Sequence, residues 1–116
     1  MGRNTWHILR DEGSVTVTRV LPVRFDVCAE TTLPAGRVLK VAQQVRQDLW
    51  RKLQKLRGFS PVVCVVQAGT GLRVTAGGRI EATFHKPTVD ALIAEVLADP
   101  RNRARWSNYA RAAGQV

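Results

Sequence analysis

The sequence predicts an α+β domain with a mostly antiparallel sheet of about five strands and helices packed largely on one face, in the order ββ-α-βββ-α-α. Three observations carry this reading. Apolar residues alternate with polar ones from Val15 onward; apolar residues recur at three- and four-residue steps from Val38 to Leu56; and Val62-Val63-Cys64-Val65-Val66 is apolar on both faces. At 116 residues the chain fits one domain, 1–116, able to bury a single core.

Trp6-His7-Ile8-Leu9-Arg10 has strand composition, and Asp11-Glu12-Gly13-Ser14 is a turn cluster, so a first strand near 5–10 leads into a hairpin. The alternating stretch predicts a second strand over 15–28, with Arg19 and Pro22 bending it near 19–22. Thr31-Thr32-Leu33-Pro34 reads as cap and turn, with Pro34 in a helix's first position. A helix of about 22 residues follows, with Val38, Ala42, Val45, Leu49, Leu53 and Leu56 on one stripe and Gly58 closing it. After the central strand, 61–67, two more strands over 71–76 and 79–84 are expected around a three-residue loop, Ala76-Gly77-Gly78, preferred over a two-residue Gly77-Gly78 turn because it sets Val74 against Ile80 and Arg73 against Glu81. Pro87 and Asp90 mark the start of a second helix with Val89, Leu92, Ile93, Val96 and Leu97 inward. Asp99-Pro100 caps a last helix on which Trp106, Tyr109 and Ala110 share a side.

The net charge of +9 is concentrated rather than spread. Arg37, Lys40, Arg46, Arg51, Lys52, Lys55 and Arg57 stand against one acid, Asp48, and Arg101, Arg103, Arg105 and Arg111 stand against none. Those segments carry +6 and +4, which leaves −1 for the remainder. A solvated helix of ordinary kind would intersperse glutamates at four-residue spacing to pair its bases, and none is present. Like charges so placed repel one another until a counter-charge arrives, which is the footprint of a polyanion binder. The candidate nucleic-acid-binding residues are Arg37, Lys40, Arg46, Arg51, Lys52, Lys55, Arg101, Arg103 and Arg105, contacting phosphates with little sequence readout. Trp50, Trp106 and Tyr109 read either as core edge and helix anchor or as platforms on which bases stack.

Other chemistries find less support. Cys28 and Cys64 are too few for a cysteine metal site, and no metal or cofactor is expected. Gly69-Thr70-Gly71 and Gly77-Gly78 lead into strands, so neither can set a helix N-terminus on a phosphate. No apolar run of about 18 residues argues for a membrane span, and Met1 to His7 lacks a signal peptide's apolar core, so a cytoplasmic protein is expected. Among catalytic readings, a small metal-independent ribonuclease would use His85 and Glu81, with Arg73 and Arg79 on the same strand face.

The expected order of strand, helix, three strands and helix resembles the layout of ribosome-hibernation factors. Its helix–three strands–helix part is similar to the double-stranded-RNA-binding domain. Both families bind RNA through basic helices, which the resemblance would imply here. No residue is carried over, because Lys86-Pro87-Thr88-Val89-Asp90 stands where the second family has a lysine-rich helix start. The sequence therefore reads as a non-enzymatic nucleic-acid-binding protein, RNA ahead of DNA, with no catalytic residue assigned. The alternatives are an assembly or adaptor subunit that binds an acidic protein surface, and the ribonuclease.

Overall fold

Alternation from Val15 stops at Thr18, and the consequence sets the topology. In the computed structural model, which describes residues 6–114, the strands are β1 (His7–Asp11), β2 (Ser14–Thr18), β3 (Val27–Pro34), β4 (Phe59–Ala68) and β5 (Gly71–Ile80). The helices are α1 (Val38–Leu53), α2 (Lys86–Ala98) and α3 (Pro100–Gly114). All five strands join one antiparallel sheet in the order β1-β2-β4-β5-β3. The α+β class and the five-stranded antiparallel sheet are those expected. Residues 1–5, including the expected start of the first strand and most of the stretch examined for a signal peptide, lie outside the described residues.

Register explains the single core. Val15 faces Val65, which faces Val74, and Val17 faces Val63, which faces Ala76, so these six side chains share one face. Val41, Ala42, Val45, Leu49 and Leu53 of α1 pack with them, as do Val89, Ile93, Val96 and Leu97 of α2 and Trp106 and Ala110 of α3. The stripe spacings read from the sequence are the spacings that pack.

Three boundaries differ from expectation, each for a physical reason. The 15–28 stretch is not one strand: residues 19–26 leave the sheet, cross its end past β4 and β5, and let β3 begin on the far edge. The crossing is three strand spacings, about 14 Å, which eight residues span easily. It is held by Asp26 N to Gly78 O (2.8 Å), Ile80 N to Asp26 Oδ2 (2.8 Å) and Arg79 Nη2 to Pro22 O (2.7 Å). Arg24 clasps the Asp26 carboxylate at 2.8 Å, and this bond, followed by the Ile80 amide, holds the Asp26 carboxyl below its ordinary range.

Thr31 to Pro34, expected as a helix cap, instead complete β3, where Pro34 is tolerated because the strand is an edge. Helix α1 accordingly starts at Val38 and has 16 residues. Gly58 does not close the helix, which ends at Leu53 with Gln54 as its cap; it makes the turn into β4 at φ +73°, with its carbonyl accepting from Glu81 N.

The Gly77-Gly78 pair is not a turn but the interior of β5, so two strands follow α1 rather than three and the order is βββ-α-ββ-α-α. That removes the helix–three strands–helix arrangement behind the resemblance to the double-stranded-RNA-binding domain. The glycines are needed because neighbouring backbone closes over them. A Cβ on Gly77 would lie 1.9 Å from Val27 O, and one on Gly78 would lie 2.2 Å from Ser60 O. Gly77→Ala is expected to destabilise the fold by about 3 kcal/mol through this collision, read as a lower midpoint in chemical denaturation.

Candidate polyanion-binding face

Helix α3 is drawn onto α1 by Trp106, which is fully buried. An indole N–H taken from water needs an acceptor. Asp48 supplies it: Oδ2 accepts from Trp106 Nε1 at 2.7 Å and from Arg105 Nη1 at 2.9 Å, and Oδ1 lies 3.4 Å from Arg51 Nη1. The sole acid of α1 is thus 8% exposed and bound on three sides. Gly36 admits the other end of α3, since a Cβ there would stand 2.9 Å from the Ala110 Cβ.

The pairings run in opposite senses along the two helices. Lys40 sits over the Tyr109 ring, 5.7 Å from its centroid, Asp48 meets Arg105 and Trp106, and Arg51 and Lys52 share a cleft of about 760 Å³ with Arg101. Helices α1 and α3 are therefore antiparallel neighbours, and Lys40, Arg51, Arg101 and Arg105 of the two basic segments share one surface. Asp48, the carboxylate beneath it, is shared by two guanidinium groups, and Glu95 and Asp99 also border the cleft.

The nine candidate residues divide. Lys40, Arg51, Arg101 and Arg105 lie along this two-helix face; Lys52, in the last turn of α1, borders both its cleft and the recess toward α2, and Lys55 lies past the end of α1 at that recess. Lys52 also lies 3.7 Å from Glu95 of α2, a half-exposed pair of small energetic weight. Arg37 is at the start of α1, around a shallow hollow shared with Arg10 and Lys40. Arg46 stacks on the Trp6 ring at 4.5 Å, opposite Arg19 at 5.4 Å; its burial, then the like charge of Arg19, lowers its pKa from the usual arginine value.

Arg103 is turned inward: it donates to Thr31 Oγ1 (2.6 Å), Thr32 O (2.6 Å) and Leu97 O (3.0 Å), tying α3 to β3 and to the end of α2. It is a structural arginine, and sequence reasoning placed it wrongly among exposed cations because its spacing from Arg101 and Arg105 says nothing of the carbonyls it reaches. Asp48 was missed as the organising acid. Its signal was there, since it falls seven residues after Val41 and three after Val45, on the edge of the buried stripe.

The aromatic residues also divide, Trp106 as an anchor in the core and Tyr109 exposed (46%) beneath Lys40; Trp50 is partly exposed. The strand face proposed for the ribonuclease reading is absent, because β5 ends at Ile80. Glu81 is held by Arg24 and Arg79, while His85 bonds Thr88 at 2.6 Å at the start of α2, and no hydrogen bond joins His85 to Glu81 among the described residues. No group of three or more metal-ligating side chains occurs among the described residues, and no helix among them is long and apolar enough to cross a membrane. No protein-family model, curated protein or solved structure matches the chain.

Asp48→Ala leaves the Trp106 N–H buried without an acceptor and releases Arg105, and is expected to cost about 3 kcal/mol of stability. Asp48→Asn, which keeps an acceptor, should lose about half of that. Thermal or urea unfolding of the two variants measures the difference.

Proposed function

We propose that the protein binds nucleic acid without catalysing a reaction on it, with RNA ahead of DNA, and that the α1–α3 face makes the contacts. The observation that supports this is the antiparallel packing of the two basic helices, which gathers Lys40, Arg51, Arg101 and Arg105 along one side of the molecule, with Lys55 just beyond the end of α1. From Lys40 to Arg51 the helical rise amounts to about 16 Å, roughly five steps of a duplex. Long side chains at that spacing suit successive phosphates, and Gln44 and Gln47 add neutral donors between them. Tyr109 and Trp50 offer rings on which an unpaired base can stack, which favours RNA loops or single strands. Arg103 has no part in the contact.

With about four phosphates engaged, log K should fall against log salt with a slope near −3 to −4. The triple variant Lys40→Glu/Arg51→Glu/Lys55→Glu is expected to abolish binding at low salt, measured by anisotropy of labelled single-stranded RNA and duplex DNA. Unaltered binding by a folded triple variant rejects this face. A protein partner that survives nuclease treatment, with no affinity for either nucleic acid, favours the adaptor reading instead.

A further inference from the structure

A second recess, of about 400 Å³, opens where the end of α1 meets the start of α2. Leu53, Leu56, Phe84, Val89 and Leu92 form its floor, and Leu56, Phe84 and Leu92 are only partly buried against the core. Lys52, Lys55 and His85 stand at its rim, and no acidic residue lines it. A phosphate backbone has no use for such a floor, and a water-filled apolar recess is costly to leave uncovered. A volume of this size takes one or two large apolar side chains.

We infer that this groove docks an acidic peptide segment of a partner protein, with a large apolar residue seated on the Leu56–Phe84–Leu92 floor and flanking carboxylates on Lys52 and Lys55. The choice of occupant follows from charge complementarity: both lysines border the groove, no acid lines it among the described residues, and Glu95, which lies 3.7 Å from Lys52, is itself well exposed and borders the neighbouring cleft instead. An incoming acid replaces that contact in a drier setting, where the attraction is stronger. The groove shares Lys52 and Lys55 with the proposed nucleic-acid face, but its floor is apolar and Lys40, Arg51, Arg101, Arg105 and Tyr109 do not line it.

The test is selection of a displayed random twelve-residue peptide library on the purified full chain, followed by affinity measurement with the best labelled peptide. The selected peptides are expected to combine Phe, Leu or Trp with neighbouring Asp or Glu. Two variants locate the site. Leu92→Asp puts a charge on the floor, and Thr88→Glu adds a repelling carboxylate at an exposed position in the first turn of α2, where an acid suits the helix. Each should weaken the peptide at least tenfold while lowering RNA affinity far less, because Lys40, Arg51, Arg101 and Arg105 lie outside the groove. An empty selection, selected peptides lacking the acidic and apolar combination, or an affinity that Thr88→Glu leaves unchanged would overturn the inference.

Discussion

The carboxylate of Asp48 is the contact on which the molecule's outer layer depends. Removing a carboxylate from water costs several kcal/mol even after relaxation, so an acid at this depth survives only with full hydrogen bonding. Here the indole of Trp106 and the guanidinium of Arg105 donate at 2.7 and 2.9 Å, and Arg51 adds a longer contact. Charge-assisted hydrogen bonds of this kind contribute about 1.5 to 3 kcal/mol each, enough to offset the desolvation without a large surplus. The return is positional. Helix α3 is fixed in register and direction on α1, and Lys40, Arg51, Arg101 and Arg105 are brought to one face.

The arginines of this chain do two different jobs, and composition does not distinguish them. Arg103 satisfies backbone carbonyls of Thr32 and Leu97, and Arg24 and Arg79 hold the crossing segment to the end of β5. With Asp90, whose Oδ1 accepts from the Cys28 amide at 3.1 Å, Arg103 also covers the β3 edge of the sheet. Capping groups of this kind remove the unpaired donors and acceptors that invite another strand. The opposite edge, β1, is managed differently: it is five residues long, with Arg10 and Asp11 at its end beside partly exposed Ile8 and Leu9. Arg51 and Arg101, in contrast, keep their guanidinium groups largely on the surface.

Much of the fold was legible because periodicity reports burial directly. The stripes of α1 and α2, the central character of β4, the cap at Asp99 and the inward face of β2 follow from apolar spacing and turn chemistry. What was not legible depended on residues distant in sequence. Nothing local distinguishes Gly77-Gly78 in a hairpin from the same pair in a flat strand; the distinction lies in the Val27 and Ser60 carbonyls that lean over them. Pro34 suits either a helix start or an edge strand, and only the pairing of Leu33 with Leu72 decides. For the candidate face, the concentration of charge was visible, but the antiparallel placement of α1 and α3 and the inward turn of Arg103 required the packed structure.

The claim that a single buried carboxylate organises this face is tested most directly by a double-mutant cycle between Asp48→Ala and Trp106→Phe. The second substitution keeps an aromatic ring while removing the N–H donor. If the two side chains act as one unit, the double variant should be less destabilised than the sum of the singles, with a coupling energy of about 1 to 3 kcal/mol. Strict additivity, within about 0.5 kcal/mol, would show that the Trp106 N–H and the Asp48 carboxylate do not act as one unit and would contradict the account.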